Sequence, residues 1–374
     1  MSKAAERDLW ASARLDQLLG EAAETALDAL PIAISGDLQT LFRVSATGFR
    51  EIVLTVVMAT LLDPNYRASL DLYACNPRPL YESGLRPTLE KFNIPCAQSG
   101  PLNVAKAAQA LNPAWAAKRR PAEAAASTLR VVAFLEADPL RAEELAQALA
   151  FLFHAEAIGV VALNSSVGSP ANLDQLVKLC VGLIAAAPDR GNTPQRICGY
   201  LLEESLANAR VAVFGASDSA STTNATSNKP GDVCVVTDEG EVSAVYEITV
   251  KKFSAQRISE CSQSLRSFRL KTGQSIPVVR VLCRPEDVPL HVAAVSHPKF
   301  GLQGLATEGD ITYEFFDIDT WVASMLVNLS TKHRLHFFQQ LKGYVNHPNT
   351  KKNVKLSFAD LAEASSQRSP AEPS

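Results

Sequence analysis

The chain is short of the residues that build most metal and redox centres. It has 6 histidines and 7 cysteines in 374 residues, and the cysteines stand singly with no CxxC pair or zinc-type spacing, which excludes a zinc ribbon or finger and predicts reduced thiols in the core. Charge of one sign is missing too. The balance of 36 Lys and Arg against 39 Asp and Glu leaves a net charge of −3, which excludes a uniformly basic nucleic-acid coat but leaves room for a local basic groove. Long apolar runs are scarce: the longest, residues 52–62, is too short to span a bilayer. The first ten residues, MSKAAERDLW, carry charge where a leader would be apolar. The expectation is a soluble protein of the bacterial cytoplasm, without a membrane partner. No P-loop, no GxGxxG before a helix, no GxSxG and no HExxH occurs, so ATP-driven and acyl-transfer chemistry have no support.

What the chain does have is ample core material, 47% hydrophobic residues, in two textures. Up to about residue 187 it is rich in Ala and Leu at helical spacing, as in Leu15, Leu18 and Leu19 and again in Leu145, Leu149 and Leu152. Eight prolines between residues 64 and 121 interrupt this pattern and predict a loop-rich region over 63–103. After the turn at 188–192 a helix carrying GYLLEESLANA is expected, with Thr193 as its N-cap and Pro194 in its first turn. Then come β-branched and aromatic runs, DVCVV, VSAVYEITV, VVRVLC and ITYEFFDI, with a helical segment over 257–271 between the second and third. The expected division is therefore a mostly α-helical N-terminal domain over 1–189, an α/β domain over 190–330, and a C-terminal helix with a disordered tail over 331–374.

Residues 222–252, TTNATSNKPGDVCVVTDEGEVSAVYEITVKK, set charges into strands, where an unpartnered charge is costly. Alternation along an extended strand puts Glu247, Thr249 and Lys251 on one face, and Tyr246, Ile248 and Val250 on the other. If DVCVV pairs with this strand through the turn TDEGE, Asp232 lies near Glu247. Two such carboxylates repel unless a cation joins them, and hard oxygen ligands suit Mg²⁺. A solvated hairpin face with cross-strand ion pairs uses the same residues.

The pattern resembles the PD-(D/E)xK nuclease superfamily, and bacterial type II restriction endonucleases within it. Pro230-Gly231-Asp232 matches the first element and the run from Glu247 to Lys251 the second, across a resemblance spanning about residues 193–320. It departs from the family pattern by the glycine before Asp232 and by Thr249 at the usual lysine position, which leaves Lys251 as the expected lysine.

The resemblance implies an α/β (α+β) fold with a restriction-endonuclease-like mixed sheet flanked by helices. It further implies a Mg²⁺ ion held by Asp232 and Glu247, the Ile248 carbonyl as a third ligand, and Glu203 or Glu204 of the preceding helix joining them. Lys251 would position the attacking hydroxide, assisted by Thr249, and cleavage of double-stranded DNA at a specific sequence would leave a 5′-phosphate. A homodimer would cut palindromic sites, and a DNA methyltransferase encoded alongside would protect them. A repair or phage-defence nuclease of the same fold, or a catalytically silent DNA-binding protein, fits the same residues.

For DNA contacts the chain offers Lys229 and Arg257 near the motif, and Asn224 and Asn228 in the polar approach to it. In the N-terminal half the candidates are Asn103, Lys106, Gln109, Lys118, Arg119 and Arg120, with Trp115 beside them. Asn and Gln suit adenine, Arg suits guanine, and basic residues suit phosphate. A solvated loop and an amphipathic helix with a basic end explain these residues equally well. His333 and His336, three apart on an expected helix, form a possible metal pair.

Overall fold

The computed structural model describes residues 3–170, 172–218, 229–295 and 301–366. Asn224 and Asn228 lie outside the described residues. The chain forms two compact units, one reaching to residue 162 and including 347–349, the other holding 163–346 and the residues from 350 onward.

The first unit is helical. Its longer helices are α1 (Lys3–Gly20), α2 (Ile32–Arg43), α3 (Gly48–Leu62), α4 (Ala122–Ala137) and α5 (Ala142–Ala162). Helix α3 is apolar all round and buried from Gly48 through Thr60, as expected of a helix at the centre of a bundle. Two charges in its first turns, Arg50 and Glu51, are buried with it and find partners. Arg50 donates to Glu156 Oε1 at 2.8 Å and to the Pro95 carbonyl at 2.9 Å, and Glu51 Oε1 accepts the Ala97 N–H at 2.7 Å. The proline-rich stretch contains short helices at Leu72–Cys75, Pro77–Pro79, Leu80–Leu85 and Arg86–Lys91, where it was expected to be mostly loop. The segment ending in helix α5 is long and apolar enough to cross a membrane by length and composition. Leu145, Leu149 and Phe153 of that helix are nonetheless fully buried in this unit's core.

The second unit is mixed α/β. Among the described residues its sheet has seven strands: β1 (Val211–Phe214), β2 (Val233–Thr237), β3 (Val242–Ile248), β4 (Val278–Cys283), β5 (Ala293–Ala294), β6 (Leu302–Glu308) and β7 (Ile311–Asp317). They lie in the order β1-β2-β3-β4-β7-β6-β5. The central pairs β3/β4 and β4/β7 are parallel, and antiparallel strands flank them. Helices α6 (Leu173–Ala186), α7 (Asn192–Ser205), α9 (Ile318–Asn328), α10 (Thr331–Asn346) and α11 (Lys352–Ser366) share one core with Val233, Val235, Tyr246, Ile248 and Leu282. Helix α8 (Ala255–Thr272) packs with Cys234, Val245, Val279 and Val281, residues of opposite parity and hence the other face.

Two expectations about organisation are corrected. The division falls at 162/163 and not at 189/190, because α6 buries Leu176, Leu179 and Leu183 in the core of the sheet-bearing unit. Residues 331–346 and 350–366 belong to the same unit: Phe337, Phe338 and Leu341 of α10 and Val354 and Phe358 of α11 are fully buried there. Helix α7 is capped by Gly191 at φ 106°, and the expected cap, Thr193, instead donates its hydroxyl to the Ala187 carbonyl at 2.6 Å.

Candidate functional site

Strands β2 and β3 pair antiparallel, with Val233 opposite Tyr246. One more step in that register sets Asp232 opposite Glu247, at the end of the sheet where parallel strands β3 and β4 both finish. Ligands of open α/β sheets bind outside such carboxyl ends. By parity both carboxylates project to the α8 face.

Glycine at two positions allows this approach. A Cβ at Gly231 would lie 2.6 Å from Val245 Cγ1 and 3.4 Å from Glu247 Oε1, so the glycine inside Pro-Gly-Asp admits the hairpin partner. Gly215, at φ 95°, brings β1 so close that a Cβ would meet the Asp232 carbonyl oxygen at 2.1 Å.

The cation that joins the carboxylates is Arg257, in the first turn of α8. Its Nη2 lies 3.3 Å from Glu247 Oε2 and 3.9 Å from Asp232 Oδ2. Its Nη1 donates to Thr249 Oγ1 at 3.3 Å. Burial disfavours the Arg257 charge, but the charges of Glu247 and Asp232 outweigh it and raise the guanidinium pKa. Glu247 is 2% exposed. Burial pushes the Asp232 carboxyl above its ordinary range, against the opposing pull of the Ile248 N–H, which donates to Oδ2 at 2.8 Å, and of the Arg257 charge. Cys261, one turn beyond Arg257 on α8, has its thiol pushed up by burial and by the neighbouring Glu247. The site is thus two carboxylates against one guanidinium, with an excess of one negative charge when all are ionised.

Lys251 does not share the strand face of Glu247. Strand β3 ends at Ile248, and Thr249 Oγ1 accepts the Lys251 N–H at 3.1 Å, folding the chain into a turn. Lys251 and Lys252 are both exposed beyond the strand end. Thr249 itself is buried and in contact with Arg257. A basic residue ten positions after Glu247 is visible in the sequence, but only the packing of α8 on this face of the sheet brings it to the carboxylates.

Neither Glu203 nor Glu204 reaches Asp232 and Glu247. Helix α7 lies on the opposite face of the sheet, and both glutamates turn to α10. His333 Nδ1 and His336 Nδ1 lie 2.8 and 2.5 Å from the two oxygens of Glu204, and Gln340 Nε2 donates to Glu203 at 3.0 Å. The histidine pair therefore clasps helices α7 and α10. Among the described residues no group of three or more His, Cys, Asp or Glu is arranged to hold a metal ion.

No family model matches the chain, and no curated protein matches it.

Of the residues expected to contact DNA, Lys229 is in an ion pair with Asp218. Asn103, Lys106, Gln109, Lys118 and Arg120 are exposed, and Arg119 is half-buried. They sit on two single-turn helices, Leu102–Ala105 and Pro113–Ala116, and the turns around them, not on one amphipathic helix. Trp115 is buried and donates its indole N–H to the Val104 carbonyl at 3.0 Å, so its ring supports this segment from within.

Proposed function

We propose that the sheet-bearing unit is a Mg²⁺-dependent deoxyribonuclease of the PD-(D/E)xK type, acting on double-stranded DNA with restriction-type specificity. The observation that carries this reading is the meeting of Asp232 and Glu247 across β2 and β3 within 4 Å of one Arg257 nitrogen. The donor set fits a Mg²⁺ ion, which binds through one or two carboxylates and fills its shell with water and substrate phosphate oxygens. Asp232 and Glu247 would hold the ion, and the carbonyl of Ile248, next in the chain to Glu247, would be the third protein ligand. When bound, it would supply Lewis-acid polarisation of the phosphate and a water of lowered pKa.

The protein's own residues do the rest. The excess negative charge of the carboxylate pair favours a divalent cation over the single guanidinium. Arg257, released from part of its ion pairing, faces the scissile phosphate, whose planar oxygen pairs a guanidinium matches better than an ammonium does. It takes the role that the family pattern gives to a lysine, stabilising charge on the five-coordinate phosphorus. Thr249 holds the guanidinium in place through its hydroxyl. The exposed Asn103, Lys106, Gln109, Lys118 and Arg120 are the proposed DNA contacts of the helical unit, and a two-fold dimer would present two such sites to a palindrome.

A second reading rests on the same contact. If Arg257 holds both carboxylates permanently and keeps a metal ion out, the protein is a silent DNA binder of the same fold. Incubation with supercoiled plasmid and Mg²⁺ separates the two: discrete fragments with 5′-phosphate ends support the nuclease, and a mobility shift without cuts supports the binder.

A further inference from the structure

The helical unit contains a cavity of about 430 Å³ that no part of the nuclease reading uses. That is in the lower part of the range of small-ligand pockets, roughly 300–1,000 Å³. Its apolar walls are Leu62, Leu70 and Leu80, and its polar rim is Arg7, Arg67, Asp63, Asn65 and Asp71. Tyr66, whose hydroxyl donates to the Leu72 carbonyl at 3.0 Å, and Cys75 also line it. The lining carries two guanidinium and two carboxylate groups, so donors and acceptors of both charge signs meet there. Arg7 also pairs with Asp8 and donates to the Cys75 carbonyl at 3.0 Å, and Arg67 donates to the Pro64 and Tyr66 carbonyls, both at 2.8 Å. Each aspartate commits only Oδ1 to its own turn, Asp63 to the Asn65 N–H and Asp71 to the Tyr73 N–H, both at 2.9 Å. The loop that bears them is pinned at its middle and at its far end to the segment with the exposed polar residues: the Leu111 N–H donates to the Ala68 carbonyl at 2.9 Å and the Leu72 N–H to the Gln109 carbonyl at 2.7 Å.

We propose that this cavity is a nucleobase-binding pocket. A planar, neutral ring with apolar faces and an edge of mixed donors and acceptors fits walls of leucine and a rim that holds Arg, Asp and Asn together. An anion would meet two carboxylates there, and a cation two guanidinium groups. The base has two sources with the same chemistry, a free nucleoside or a base extruded from the duplex. The inference does not depend on the nuclease reading, because it concerns binding in a different unit.

Cys75 gives a built-in reporter. It is the half-buried thiol of the chain, the other six being buried. The four deoxynucleosides are the first probes, and the rate at which a maleimide modifies Cys75, followed by peptide mass spectrometry on the intact protein, is the readout. At least one nucleoside should slow modification severalfold, and Ala74→Trp, which narrows the mouth from an exposed position, should remove that protection. Arg67→Ala should weaken it without filling the cavity, and serves if the tryptophan variant misfolds. A duplex carrying 2-aminopurine is the second probe. Protection together with a fluorescence rise on binding assigns the pocket to an extruded base, and protection without the rise assigns it to a free nucleoside. Unchanged Cys75 modification with every nucleoside and no fluorescence rise overturns the proposal, whatever the plasmid assay shows.

Discussion

At the scale of residues the account rests on Arg257 in place of Lys251. The carboxylates of Asp232 and Glu247 sit within 4 Å of the Arg257 guanidinium, whereas Lys251 follows a turn that takes it off the strand. In single-turnover cleavage at saturating enzyme, Arg257→Ala should lower the rate by a factor on the order of 10² or more, the usual cost of losing one preorganised charge-stabilising group. Lys251→Ala and Lys252→Ala should stay near the parent rate. If Lys251→Ala is the dead variant and Arg257→Ala the active one, Arg257 is only a structural counter-ion. Asp232 and Glu247 were legible as partners because the turn between their strands is short and glycine-bearing. The cation was not legible, since strand periodicity cannot foresee that a threonine hydroxyl will close a turn at Lys251.

At the scale of elements, the two faces of the sheet decide which helix serves the site. Helix α8 packs on the carboxylate face and α7 on the opposite one, so Glu204 belongs to a clasp with His333 and His336. Glu204→Gln should therefore leave the cleavage rate unchanged and lower the stability to urea by about 1–3 kcal/mol, the cost of disrupting a buried, charge-assisted pair of hydrogen bonds. A cleavage defect without loss of stability would return Glu204 to the metal site. Gly215 makes a second test, because a side chain there meets both a positive φ and the Asp232 carbonyl. Gly215→Ala should cost about 3 kcal/mol or more in unfolding free energy, and parent-like stability would show that β1 does not press on Asp232. Strands β2, β3, β4 and β7 and helix α8 were readable from β-branched runs and from the helical spacing between them. Strands β1 and β5 were not, being four and two residues long. Strand β6, LQGLATE, lacks the β-branched and aromatic density that marks the others.

At the scale of the whole molecule, the division at 162/163 was hidden because α6 has the same Ala- and Leu-rich texture as the helices before it. Only its packing against the sheet-bearing unit assigns it. The helical unit carries its own pH signature: burial raises the Glu51 carboxyl above its ordinary value, against the opposing Ala97 N–H and Arg50 charge. The folded state then holds a proton that the unfolded chain releases, so this contribution is fully present below the ordinary glutamate range and is lost as pH rises through the raised folded value. Glu51→Gln, whose amide oxygen can still accept the Ala97 N–H, should flatten the fall in stability above pH ~4.5, and denaturant titrations across that range should show the two curves diverging with rising pH. Parallel curves would mean that Glu51 titrates alike in both states.

The central claim concerns catalysis at the carboxylate pair, and one experiment meets it directly: single-turnover cleavage of duplex DNA by the full chain and by Asp232→Asn, with Mg²⁺ and with EDTA. The account predicts Mg²⁺-dependent products bearing 5′-phosphates with the parent protein. It predicts a rate lower by a factor on the order of 10³ with Asp232→Asn, duplex binding still measurable, and no products in EDTA. Cleavage by the variant at the parent rate, or rapid cleavage in EDTA, would contradict it.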